Sequence, residues 1–115
     1  MRPAGLHHVS INVRDVTESV SFYTRLLGLT QLERPALRST GAWLSAGGQQ
    51  VHLIQDEVPA PLGQHFALAV PDLDAAVSEL RAGGVEVSEP AGIGAGRQAF
   101  LADPDGNRVE LHQPG

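Results

Sequence analysis

The chain has 115 residues, is 42% hydrophobic and carries a formal net charge of −5, a balance that supports one packed domain and excludes a disordered chain. Its 8 Lys and Arg face 13 Asp and Glu and form no basic run, which excludes nucleic acid as an expected partner because phosphate binding needs a clustered basic face. Without cysteine, disulfides, thiolate zinc sites and thiol nucleophiles are excluded.

No stretch reaches the about 18 apolar residues of a membrane span. The opening MRPAGLHHVS lacks the apolar core of a signal peptide. A cytoplasmic location, with no membrane partner, is therefore expected.

Residues 6–13 alternate in hydrophobicity and predict a strand with Val9, Ile11 and Val13 on one face and His8, Ser10 and Asn12 on the other. Asp15, with Glu18 three positions on, reads as a helix N-cap. Val16, Val20, Tyr23 and Leu27 recur at helical spacing, and Gly28 ends the helix. Three strands are expected next, near 30–34, 41–46 and 50–55. Glu57 to Gly63, with Pro59 and Pro61, reads as a linker.

The sequence then repeats itself. His65 and Val70 stand 57 positions after His8 and Val13, and Asp72 stands 57 after Asp15. The same offset carries Ala42-Trp43-Leu44 onto Ala99-Phe100-Leu101. After one extra loop residue, Val51-His52-Leu53 falls on Val109-Glu110-Leu111 at an offset of 58. A strand over 64–70, a helix capped by Asp72 with Leu73, Ala76, Val77 and Leu80 inward and Gly83-Gly84 at its end, and strands near 85–88, 97–102 and 108–112 are expected. Asp103-Pro104-Asp105-Gly106-Asn107 predicts a tight turn between the last two. The fold class is thus α+β: two tandem β-α-β-β-β modules, 6–56 and 64–113, joined by a linker at 57–63.

Strand parity decides which side chains meet. In the closing strands Val51 and Leu53 oppose His52 and Ile54, and Val109 and Leu111 oppose Glu110 and His112. Each module therefore projects two potential ligands from its non-helical face: His8 and His52 from one, His65 and Glu110 from the other. Their repeat-equivalent positions predict that a pseudo-twofold relation brings all four to one divalent cation. Three imidazoles and a carboxylate suit Zn, Ni, Co, Mn or Fe rather than calcium. Ser10 and Asn12 are candidate hydrogen-bonders to a small-molecule substrate, and Arg97 a candidate clamp for an anionic one. His7, by parity, is placed on the apolar side, and a structural role is expected for it and for His112.

These segments resemble the vicinal oxygen chelate superfamily, which includes glyoxalase I, fosfomycin resistance thiol transferases, methylmalonyl-CoA epimerase, extradiol dioxygenases and bleomycin-binding proteins. The likeness rests on His8-Val9-Ser10-Ile11-Asn12-Val13-Arg14-Asp15, on Phe22-Tyr23 through Leu26-Leu27-Gly28-Leu29, on His65 to Val70, and on Phe100 to Leu111. It implies paired modules cupping a metal, commonly in a homodimer. It implies ligands at His8, His65 and Glu110, with His52 standing where glyoxalase I carries a glutamate. The activity it implies is that of a metal-dependent lyase or isomerase acting on a substrate with adjacent oxygens, with Glu110 as the catalytic base. A ring-cleaving dioxygenase and a bleomycin-resistance-like binding protein are the alternatives. A fosfomycin thiol transferase is disfavoured, since no potassium-binding loop is readable between Pro90 and Leu101.

Overall fold

The computed structural model describes all residues, Met1 to Gly115. The chain divides into two compact units, Met1–Ala60 and Pro61–Gly115. Both follow the β-α-β-β-β order, and the fold class is the α+β tandem arrangement expected.

In the first unit β1 (His8–Val13) leads through α1 (Val16–Ser21) to β2 (Thr30–Leu32), β3 (Gly41–Ala46) and β4 (Gln49–Gln55). The sheet order is β1-β4-β3-β2, with β1 parallel to β4 and the other pairs antiparallel. A two-residue turn, Gly47-Gly48, joins β3 to β4, and Gly47 takes a φ of +61°, which a side chain would resist. Val13, Tyr23, Leu29, Ala42, Leu44, Val51 and Leu53 form the core. Asp15 caps α1 as expected, its carboxylate accepting from the Glu18 amide at 3.2 Å.

The helix departs from expectation further on. After Ser21 the chain widens into a π-helical turn over Phe22–Leu26, where Leu27 N–H donates to the Phe22 carbonyl. The inward stripe becomes Ser19 and Tyr23, both fully buried, while Val16, Val20 and Leu27 lie at its margins. An insertion of this kind shifts the helical phase beyond it, so Leu27 leaves a fixed 3.6-residue period, whereas Ser19 already faces inward within α1 itself.

The second unit contains β5 (His65–Ala69), α2 (Leu73–Ala82), β6 (Ala91–Ile93), β7 (Gly96–Ala102) and β8 (Arg108–Gln113). Its sheet order is β5-β8-β7-β6, with β5 parallel to β8. Leu73, Val77 and Leu80 of α2 pack with Ala99, Leu101, Val109 and Leu111, and Asp72 caps the helix through the Ala75 amide at 3.0 Å. In the turn before β8, one Asp103 oxygen accepts from the amides of Asp105 and Asn107, while the other accepts from the Asn107 side chain. The expected turn is present.

The strand expected at 85–88 is absent, and the unit's second strand is the short β6 at Ala91–Ile93 instead. The Arg81 guanidinium donates to the Val87 carbonyl at 2.8 Å and the Ser88 carbonyl at 3.4 Å. A side chain thus occupies acceptors that a ladder would use. No helix is long and apolar enough to cross a membrane.

Candidate metal-ligand pairs and their family

Each unit brings its own pair of candidate ligands together. In the first, β1 and β4 run parallel with Ser10 opposite His52, so His8 reaches His52 diagonally on the same face. Their rings stack, with centroids 3.9 Å apart and planes at 14°. Trp43, directly opposite His52 on β3, covers the other side at 4.4 Å and 6°. His52 is only 8% exposed, whereas His8 is exposed.

The second unit repeats the layout with different chemistry. His65 Nε2 lies 3.0 Å from Glu110 Oε1, and Glu110 is also 8% exposed. Phe100 stands opposite Glu110 as Trp43 stands opposite His52, and the His65 ring meets it edge-on at 5.5 Å. Arg108 lies over the Phe100 ring, its guanidinium carbon 4.1 Å from the ring centre.

Hydrogen bonds fix where the lone pairs point. His65 Nδ1 is 2.9 Å from the Gly63 carbonyl, which can only accept, so Nδ1 carries a proton. In the neutral ring Nε2 then presents a lone pair to the carboxylate oxygen Oε1. Two acceptors at that distance require a positive centre between them, either a proton or a metal ion. The spacing is that of an ordinary N–H···O hydrogen bond and is equally that of two cis donors each about 2.1 Å from a shared cation. His52 Nε2 lies 2.8 Å from Gln50 Oε1, which assigns its proton to Nε2 and leaves Nδ1 as the donor atom. Burial lowers the pKa of His52, and His8, His7 and Arg34 lower it further. The ring is thereby held in the neutral form that a metal needs.

All four candidate ligands have an outer partner: Gly63 for His65, Gln50 for His52, His7 for His8 and His112 for Glu110. Such partners set tautomer and orientation in metal sites. Neither unit by itself arranges three histidine or carboxylate side chains to hold a metal ion. The donors come as two pairs.

The remaining sequence candidates separate. Ser10 is exposed on the face that carries His8. Asn12 donates through Nδ2 to the Glu57 carbonyl at 2.8 Å, tying β1 to the segment after β4. Arg97 sits on the other side of its sheet, in the alternation of Ala99 and Leu101, and makes two 3.0 Å hydrogen bonds to Asp74 of α2. It is committed to the helix rather than directed with Glu110. His7 corrects another expectation. It precedes β1, so strand parity does not govern it, and its Nδ1 meets His8 Nδ1 at 2.9 Å. Sequence reasoning also gave His112 only a structural role, although it follows Glu110 by two on one strand face. Its Nδ1 lies 2.9 Å from Glu110 Oε2.

With this geometry in view, residues 5–111 match the model of the Glyoxalase/Bleomycin resistance protein/Dioxygenase superfamily. The chain belongs to that superfamily.

Several of its relatives carry enzyme names. The chain is 33% identical over 115 residues to glutathione transferase FosA of Serratia marcescens, covering 93% of this chain and 79% of that one. It is 30% identical over 122 residues to lactoylglutathione lyase of Escherichia coli O157:H7, covering 92% and 90%. It also spans 35% of the length of an Arabidopsis thaliana protein named "Probable lactoylglutathione lyase, chloroplastic", at 32% identity over 94% of this chain. Among solved structures, a glyoxalase family protein of Bacillus anthracis superposes with a TM-score of 0.89 at 25% identity, covering 100% of both chains. TnmS3, an antibiotic binding protein from Streptomyces sp. CB03234, gives 0.82 at 28% identity, covering 100% of this chain and 99% of that one.

Proposed function

We propose that this superfamily member is a divalent-metal-dependent lyase or isomerase of the glyoxalase type, acting on a small substrate with two neighbouring oxygens. The observation that carries the reading is the His65–Glu110 pair, an imidazole nitrogen and a carboxylate oxygen 3.0 Å apart, with the Gly63 carbonyl placing a proton on the other ring nitrogen of His65. His8 and His52 occupy the repeat-equivalent positions and complete a set of three nitrogens and a carboxylate. In this reading those four residues are the ligands of one Zn, Ni, Co, Mn or Fe ion, in a homodimeric cytoplasmic protein. When bound, the ion supplies Lewis-acid stabilisation of negative charge developing on the substrate oxygens.

The protein's own groups do the rest. Glu110 is the general base, its carboxylate receiving the substrate proton when it is not engaged as a ligand. His52 stays neutral through burial. Ser10, on the same strand face as His8, hydrogen-bonds a substrate oxygen.

The test is metal content by plasma mass spectrometry after loading and dialysis, paired with a lactoylglutathione lyase assay. The wild type retains about one equivalent per chain, and His65→Ala loses it together with activity. Full occupancy in His65→Ala, or no metal in the wild type, overturns the reading.

A second reading is a non-catalytic small-molecule binder. The Trp43–His52–His8 stack favours it as a flat ring surface, and so does the likeness to TnmS3 over the full chain. Tight binding of a planar aromatic compound by metal-free protein without turnover would select it. Iron with ring-cleaving activity would instead select the dioxygenase.

A further inference from the structure

The two halves of the repeat are not equivalent around their closing strands. Counting 58 positions back, Glu110 corresponds to His52 and His112 to Ile54. The second unit therefore carries an imidazole where the first carries an aliphatic side chain. That imidazole is not loose on the surface. Its Nδ1 lies 2.9 Å from Glu110 Oε2, and its side chain is 34% exposed.

On the other side of the ring the chain makes room for it. A Cβ added at Gly96 of β7 would lie 3.2 Å from His112 Nε2 and 2.6 Å from the Gln113 carbonyl. The ring is lodged between a glycine that lacks a side chain and the carboxylate it touches.

Glu110 therefore has a different imidazole at each oxygen. Oε2 accepts from His112, while Oε1 lies 3.0 Å from His65 Nε2, beside the nitrogen proposed as its fellow ligand. A carboxylate free to rotate could present either oxygen, or both, to a cation. A donor on Oε2 removes that freedom and leaves Oε1 as the single coordinating atom. We propose that His112 is a positioning residue that fixes Glu110 as a one-oxygen metal ligand by donating from Nδ1 to Oε2. This rests on the metal reading above and adds the device that orients its one carboxylate. His112 takes no part in coordination itself.

The role demands a donor at the Nδ1 position and nothing more, so an asparagine, whose side-chain NH2 falls near that point, should replace it. A phenylalanine keeps the ring's bulk beside Gly96 and removes the donor. The experiment measures zinc(II) affinity of the full chain by competition with a chromophoric chelator, without substrate, for wild type, His112→Phe, His112→Asn and His65→Ala. His112→Phe is expected to bind zinc about 10- to 100-fold more weakly, the usual effect of losing an outer-shell partner. His112→Asn is expected within about threefold of wild type, because the charge-assisted hydrogen bond is retained.

Unchanged affinity in His112→Phe overturns the proposal. So does an affinity in His112→Asn as poor as that of the phenylalanine variant, which would make the imidazole a ligand or a packing element. Circular dichroism of the metal-free variants checks folding. If His112→Phe does not fold, the asparagine variant decides: wild-type affinity supports the role and weak binding refutes it. Loss of zinc in His65→Ala alongside unaffected His112→Phe would sink the positioning role alone. A wild type that binds no zinc would sink both this role and the metal site.

Discussion

Trp43 lies flat against His52, their ring centres 4.4 Å apart and their planes within 6°. Because the chain has a single tryptophan, its emission reports on this one contact without interference. Indole emission responds to whatever lies against its face, and His52 can hold a cation through Nδ1 only by adjusting its stacked ring or its charge distribution. Titrating zinc(II) into the protein should therefore change Trp43 fluorescence with the same saturation curve as direct metal binding. In His52→Ala the response should vanish. Zinc binding in the wild type with unchanged emission would remove His52 from the coordination set.

The same ring sets a pH dependence. His52 has its pKa lowered from 6.5, first by burial and then by His8, His7 and Arg34. A depressed folded-state pKa means that the unfolded chain takes up the proton first. Stability is then complete above the unfolded value and falls as pH drops through the window from about 6.5 towards the folded value. Urea midpoints of the metal-free protein should therefore decline between about pH 7.5 and pH 5.5. His52→Gln should flatten that decline. An equal slope in both proteins would show that the buried ring is not its source.

How far the sequence exposes this arrangement depends on which physical rule governs each residue. The duplication is legible because residue identity survives at matched offsets, and strand parity then places His8 with His52 and His65 with Glu110. Parity fails where its premise fails. His7 lies before β1 begins, so an alternation extended back to it points the wrong way. The parity that places Ala99 and Leu101 against α2 also places Arg97 there, and Asp74 in the first turn of that helix offered a carboxylate partner. The missing strand at 85–88 has a different cause, since a helix-borne arginine took carbonyls that local hydrophobicity assigns to a sheet. His112 was readable as a neighbour of Glu110 at spacing two. What was not readable is that Gly96 opens the space holding the ring against it.

Arg97 gives a direct check on that reading of the faces. Its two hydrogen bonds to Asp74 lower the Asp74 pKa and raise its own, with their mutual charge attraction adding to both. Both groups are exposed, so the pair braces β7 against α2 only weakly. Arg97→Ala should leave zinc affinity and any lyase turnover at wild-type levels. Because Asp74 has a depressed folded pKa, the pair's small contribution is present at neutral pH and lost as pH falls below the ordinary carboxylate range, and the variant should lack that acid-sensitive component. A loss of turnover with intact folding would place Arg97 at the substrate after all.

Ser19 offers the most direct test of the first unit's packing. It is fully buried on the inward side of α1, one turn before Tyr23, and its hydroxyl has no hydrogen-bond partner. A buried hydroxyl left unsatisfied retains its desolvation cost with nothing to offset it. Alanine removes the hydroxyl and keeps the Cβ. It also raises intrinsic helix propensity, since serine competes with the backbone for hydrogen bonds where alanine does not. The cavity left is smaller than a methyl group, so the desolvation gain outweighs the lost contacts. Ser19→Ala should raise the unfolding free energy by about 1 kcal/mol, read as a higher urea midpoint at constant slope. A destabilised variant would mean that the hydroxyl finds a partner in solution, and the account of α1 packing through Ser19 and Tyr23 would fail at that point.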